Sequence, residues 1–160
     1  MAPSRFLVPM LLITASACLQ GGNTDESPFD PARVKAEIDS VMSQLIDHQL
    51  AVEFDQFNSF FTTSLEGTVV RDGEFFDNTQ SYLADMAPLL SSIDAVSSFE
   101  WLHYMVYPLA ADAAVFAGHY RELVAMNGVE PALLTGSMTT LFQKVGGAWE
   151  MVHVHSSHLP

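Results

Sequence analysis

"TTLFQKVGGAWEMVHVHSS", residues 139–157, decides how this chain folds. Two apolar runs flank Gly146-Gly147. Consecutive glycines reach the left-handed backbone of a tight turn at no steric cost, so the runs read as the arms of one β-hairpin. Its second arm, from Ala148, alternates with a period of two. That period puts His153 and His155 on one face of the strand.

The stretches upstream read the same way. "LLTGSMTTLFQKV" is the hairpin's first arm, and "AAVFAGHYRELVAMN" is a strand that ends at an Asn127-Gly128 turn. "VSSFEWLHYMVYPL", residues 96–109, is a long strand. Strict alternation would place Phe99, Trp101, His103, Met105 and Tyr107 on one face, and Glu100, Leu102, Tyr104 and Val106 on the other. Both faces of these four strands are largely apolar or aromatic. A sheet with one wet face would alternate more sharply, so both faces are expected to be covered, one by helices and one by a second copy of the chain.

The first half of the chain is mostly helical in pattern. Asp30 can cap a helix whose first position is Pro31, where the missing N–H costs nothing. Val34, Ile38, Val41, Met42, Leu45 and Ile46 form its apolar stripe. Phe54, Phe57, Phe60 and Phe61 mark a second short helix and its core contacts. "GTVVRDGEFF" is a small hairpin turning at Asp72-Gly73. "DNTQSYLADMAPLLSSI" is a third helix, capped by Asn78, with Pro88 expected to kink it or end it early.

The chain begins with Arg5 in "MAPSR", followed by an apolar run of 12 residues, Phe6 to Ala17. Such a run is too short to span a bilayer and suits the core of a signal peptide. Ala15, Ser16 and Ala17 then lead into Cys18, the only cysteine. This arrangement resembles a bacterial lipoprotein signal, which implies cleavage before Cys18 and a lipid on its sulfur. Residues 1–17 are read as the signal peptide, 18–32 as a flexible Gly-, Ser- and acid-rich tether, and 33–158 as one domain. The expected location is extracytoplasmic. Acidic residues number 19 against 6 basic, a net charge of −13. A surface of that sign repels phosphate backbones and anionic lipids, so nucleic acid is excluded as a partner and only the lipid on Cys18 would bring the domain to a membrane. One cysteine permits no internal disulfide.

The order helix, helix, short hairpin, helix and four long strands is α+β. Together with the last hairpin, it resembles the SnoaL-like branch of the nuclear transport factor 2-like superfamily. The matching positions are Phe142, Gly146-Gly147, Trp149, Met151, Val152, His153, His155 and Ser157. The resemblance implies a cone-shaped, curved antiparallel sheet wrapped around three N-terminal helices, with a ligand pocket at the mouth and a homodimer through the outer face. Members of the branch often carry a Gly-Asp break after the first helix and an Asp pair after the second. "HQLAVEFDQFNSFFTTSL" has neither, which points to a different pocket floor.

The candidate catalytic residues are His153 and His155. The candidate ligand-binding set is His103, Tyr104, His119, Tyr120, His153 and His155. Imidazole can line a pocket, satisfy a neighbour in the core or ligate a metal. No HExxH or Cys-x-x-Cys accompanies the pair and no third ligand is evident, so neither a metal nor a cofactor is expected. His158 lies three residues beyond His155 and need not share its face. Glu100 and Glu122 read as solvated rim residues. Two functions fit these residues. One is a module that binds a small apolar molecule or a protein partner. The other is a cofactor-independent lyase or isomerase with a pocket histidine as general acid or base.

Overall fold

The computed structural model describes residues 29–63 and 66–159. The signal segment, Cys18 and most of the tether lie outside the described residues. Three helices, α1 (Pro31–Leu50), α2 (Phe54–Asn58) and α3 (Thr79–Leu90), pack on a sheet of six strands. The strands are β1 (Thr68–Arg71), β2 (Glu74–Phe76), β3 (Ile93–Ala110), β4 (Ala113–Met126), β5 (Ala132–Val145) and β6 (Ala148–His158).

Asp30 caps α1 by accepting the backbone N–H groups of Ala32 and Arg33. The apolar stripe of α1 is buried at Val34, Ile38, Val41, Met42 and Leu45, against β3 and β4. Glu37 ties the helix to the last hairpin: its Oε2 accepts from Trp149 Nε1 at 2.8 Å and pairs with Lys144 Nζ at 2.5 Å. In α3, Asn78 caps the first turn and the helix continues through Pro88 to stop at Leu90.

The strand order is β2-β1-β6-β5-β4-β3. The short hairpin thus joins the same sheet, and β1 runs parallel to β6 while every other pairing is antiparallel. The inner face carries the core, with Phe116, Phe142, Met151, Val69 and the α1 stripe fully or nearly fully buried.

Register shifts decide which residues face inward, and two of them bear on the candidate residues. In β3 the register shifts between Trp101 and His103, so Leu102 is the extra residue. Strict alternation therefore fails there. Phe99 and Trp101 face inward with Tyr104 and Val106, whereas His103, Met105 and Tyr107 face outward with Glu100. In β6 the shift falls at Val152, between the pairs Phe142–Met151 and Leu141–His153. An unpaired residue of this kind reverses the parity of everything beyond it and bends the strand. Beyond Val152 the inward residues are Val154, Ser156 and His158.

Candidate functional site: a cavity at the mouth of the cone

A cavity of about 450 Å³ opens between the three helices and the inner face of the sheet. Five methionines line it: Met42, Met86, Met126, Met138 and Met151. Thioether side chains are flexible and polarizable, so such a wall adapts to irregular apolar shapes. One side is an aromatic block. Phe99 stacks on Tyr120 at 5.3 Å, and Trp101 stands edge-on to both, at 5.1 and 5.6 Å. Glycines opposite these rings leave them room. A Cβ on Gly118 would lie 2.7 Å from the Trp101 ring, and one on Gly136 would lie 2.7 Å from Tyr120 Oη.

The polar groups gather at one end. Asp72 sits in the β1–β2 turn with φ 50°, a backbone region that aspartate tolerates better than most residues. Its Oδ1 accepts the backbone N–H of His158 at 2.7 Å. Both of its carboxyl oxygens lie 3.0–3.1 Å from His158 Nδ1. Burial alone would raise the Asp72 carboxyl, but the hydrogen bonds from His158 and the Arg71 charge hold it below its ordinary value. Asp72 accepts the N–H that His158 carries on Nδ1. His158 Nε2 lies 3.2 Å from Tyr120 Oη, within hydrogen-bond distance of the phenol. Burial pushes that phenol far above its ordinary value, so Tyr120 keeps its proton.

Glu122 follows Tyr120 at the next inward position of β4 and is only 7% exposed. Gln49 reaches from α1 and donates Nε2–H to Glu122 Oε2 at 2.5 Å. Burial raises the Glu122 carboxyl above its ordinary value, against the opposing pull of His158 and the Gln49 hydrogen bond. Arg71 also lines the cavity, with Nε 3.7 Å from Asp72 and Nη1 directed at Met86 Sδ, 2.6 Å away.

Of the residues proposed from sequence, Tyr120 lies in this wall. His153 and His155 share a face, and it is the outer one, which corrects their expected place at the cone's mouth. The bulge at Val152 puts them outward: they pair with Thr68 and Val70 of β1, and His153 Nδ1 is 2.7 Å from Thr68 Oγ1. His103 and His119 are register partners on the same outer face and border a shallow groove of about 330 Å³ with Met105 and Tyr107. Tyr104 points inward outside the cavity, its ring stacked on Phe116 at 5.5 Å and Lys35 Nζ 5.7 Å from its centre. Glu100 is an exposed partner of Arg121, but Glu122 is no rim residue. Sequence reasoning passed over Asp72, Arg71 and Gln49. A signal for Glu122 existed, since it stands two residues from Tyr120 within an apolar strand. Among the described residues, no three His, Cys, Asp or Glu side chains gather as a metal site.

An α+β cone of this topology, with an apolar cavity closed at one end by polar groups, is the nuclear transport factor 2-like fold. The chain is similar to a nuclear transport factor 2-like superfamily protein from Salmonella enterica, at 17% identity over 81% of this chain and 93% of that one, with a TM-score of 0.67. It is similar to a protein assigned as a dehydratase of the NTF2-like family from Streptomyces avermitilis, at 13% identity over 82% and 99% of the two chains and a TM-score of 0.70. The association domain of C. elegans CaMKII matches at 19% identity over 79% and 97%, with a TM-score of 0.62. No protein-family model matches the chain, and no curated protein matches it in sequence. At these identities the likeness establishes the fold alone.

Proposed function

We propose that this is an extracytoplasmic protein of the SnoaL-like branch that binds a small, mostly apolar molecule inside the cone. The observation that carries the reading is the cavity: about 450 Å³, walled by methionines and aromatic rings, with Tyr120 and Glu122 each 7% exposed. That volume lies within the usual range for small-molecule sites, and a few placed polar groups in an apolar wall are their usual pattern. The His-x-His-x-Ser hairpin supports the SnoaL-like assignment. The apolar leader ending at Cys18 supports a lipid anchor, and membrane retention of a Cys18→Ala variant would overturn it.

Titration with a naphthalene-sized probe, followed by tryptophan fluorescence, tests the cone. Trp101 is in its wall. Saturable quenching that weakens in Met126→Trp, which narrows the cavity, is expected. Quenching undiminished in that variant would place the probe elsewhere.

A second reading, a cofactor-independent lyase or isomerase, is favoured by one observation. Asp72, His158 and Tyr120 form a continuous hydrogen-bonded chain ending at the cavity wall beside Glu122. In this reading the proton carriers are Glu122 and His158, in place of His153 and His155. The outer face is proposed to join two copies of the chain. Met105, Tyr107 and Leu109 are exposed on its strands, 44–57% in each case.

A further inference from the structure

We infer that the cone selects an amine: a compact, mostly apolar molecule whose single ammonium group pairs with Glu122. This rests on the cavity being a ligand site, and adds the charge and class of the ligand.

The argument starts from where positive charge is missing. A buried carboxylate is paired, coordinated or neutralised. Glu122 receives a neutral amide from Gln49 at Oε2, and no ion pair among the described residues includes it. Arg71 lines the same cavity, with Nε 3.7 Å from Asp72 and Nη1 directed at Met86 Sδ, and makes no ion pair with Glu122. His158 pulls on the Glu122 carboxyl from beyond ion-pair distance, and both of its nitrogens are engaged, Nδ1 with Asp72 and Nε2 with Tyr120. Glu122 therefore borders the cavity without a cation at ion-pair distance.

The surroundings suit a cation arriving from the cavity side. Phe99 is the register partner of Glu122, and Tyr120 is its neighbour on the inward face of β4. Their rings stack on each other and line the cavity beside Glu122, a water-poor wall in which a charge-assisted hydrogen bond is strong. The apolar wall receives the rest of the molecule. The net charge of −13 raises the local concentration of cations and repels a carboxylate ligand. An anion would also meet the Asp72 and Glu122 carboxyls at the polar end of the cavity.

Three probes that share one ring system test this: 1-naphthylmethylammonium, 1-naphthylmethanol and 1-naphthoate. Isothermal titration of the folded protein at 150 mM salt gives the affinities. The ammonium probe should bind about tenfold or more tightly than the alcohol, the scale of one hydrogen bond to a charged group, and the naphthoate should bind most weakly. Glu122→Gln should bring the ammonium probe to the affinity of the alcohol measured on the same variant. In the wild type the ammonium advantage should shrink as the pH is lowered and Glu122 takes a proton, and this arm needs no variant. An alcohol that binds as well as the ammonium probe, or an ammonium preference that survives Glu122→Gln, overturns the amine while leaving the cone a binding site. Failure of all three probes to bind overturns both.

Discussion

Gly136→Ala is the substitution on which the geometry of the site can be tested most sharply. Gly136 lies on β5 opposite Tyr120 and is buried. A Cβ there would stand 2.7 Å from Tyr120 Oη, 2.8 Å from its Cζ and 2.7 Å from the backbone oxygen of Ser157. Ordinary contacts begin near 3.4 Å, so the neighbours must retreat by about 0.7 Å. Neither can do so freely. One contact is β6 backbone, and the Tyr120 ring is held between Phe99 at 5.3 Å and Trp101 at 5.6 Å. Overpacking of this kind costs about 1–3 kcal/mol. Against it stands about 0.4–1 kcal/mol from the reduced freedom of the unfolded chain. The overpacking is the larger effect, and the net loss of about 0–2.6 kcal/mol lowers the Tm of a domain this size by up to about 12 °C. Calorimetric melts measure the loss directly. Repeating the substitution in a Tyr120→Ala background isolates the ring's share, because only the Ser157 contact remains there. A variant that melts above the wild-type temperature would refute the packing argument, and with it the reading that Gly136 leaves the Tyr120 ring its room.

Two carboxyls shifted in opposite directions give a pH signature. Hydrogen bonds from Lys144 and Trp149 lower Glu37, so its contribution is full above the ordinary carboxyl value and lost as pH falls through the lowered one. Burial raises Glu122, so the folded state binds a proton sooner than the unfolded chain, and wild-type stability recovers as pH falls toward the ordinary value of 4.5. Glu122→Gln should therefore be more stable than wild type at neutral pH, with the gap closing on acidification. A gap that widens in urea melts from pH 7 to 4 would show that the carboxylate is favourably paired. On the outer face, Tyr107→Glu should abolish self-association seen by light scattering, and at dilutions where the wild type is monomeric it should leave the melt within about 0.5 kcal/mol of wild type. Identical masses for variant and wild type would count against the outer face as the contact.

The α+β order and the long hairpin were legible because they rest on local chemistry. A capping Asp30 before Pro31, an apolar stripe along α1, and left-handed glycines at Gly146 and Gly147 each act over a few residues, and all appear in the structure. Which face each strand turns inward depends on something less local. A two-residue period holds only while the ladder is regular, and one unpaired residue reverses it. Leu102 and Val152 are such residues, and neither differs in chemistry from its neighbours. Val152 bulges where the segment around Phe61 docks beside β6: Met151 N–H donates to the carbonyl of Phe60, and Thr62 N–H donates to that of Met151. That contact spans about ninety residues of sequence, so no reading of the last strand alone could reveal it.

The same reversal explains why the histidine that meets the cavity is the one set apart. His153 and His155 fit the expected hairpin pattern and stand close together, which made them the natural pair. His158 lies at the end of the strand, where only the register beyond Val152 determines its direction. Its role is then fixed from outside its own strand. Asp72, held in a left-handed turn by the Asp-Gly hairpin, binds both its backbone N–H and its ring, and Tyr120 receives the other side of the ring from β4. A site assembled from a turn, a strand end and a strand middle depends on three registers at once. Each of its side chains looks unremarkable in sequence, and the chemistry becomes visible only when the sheet closes around the helices.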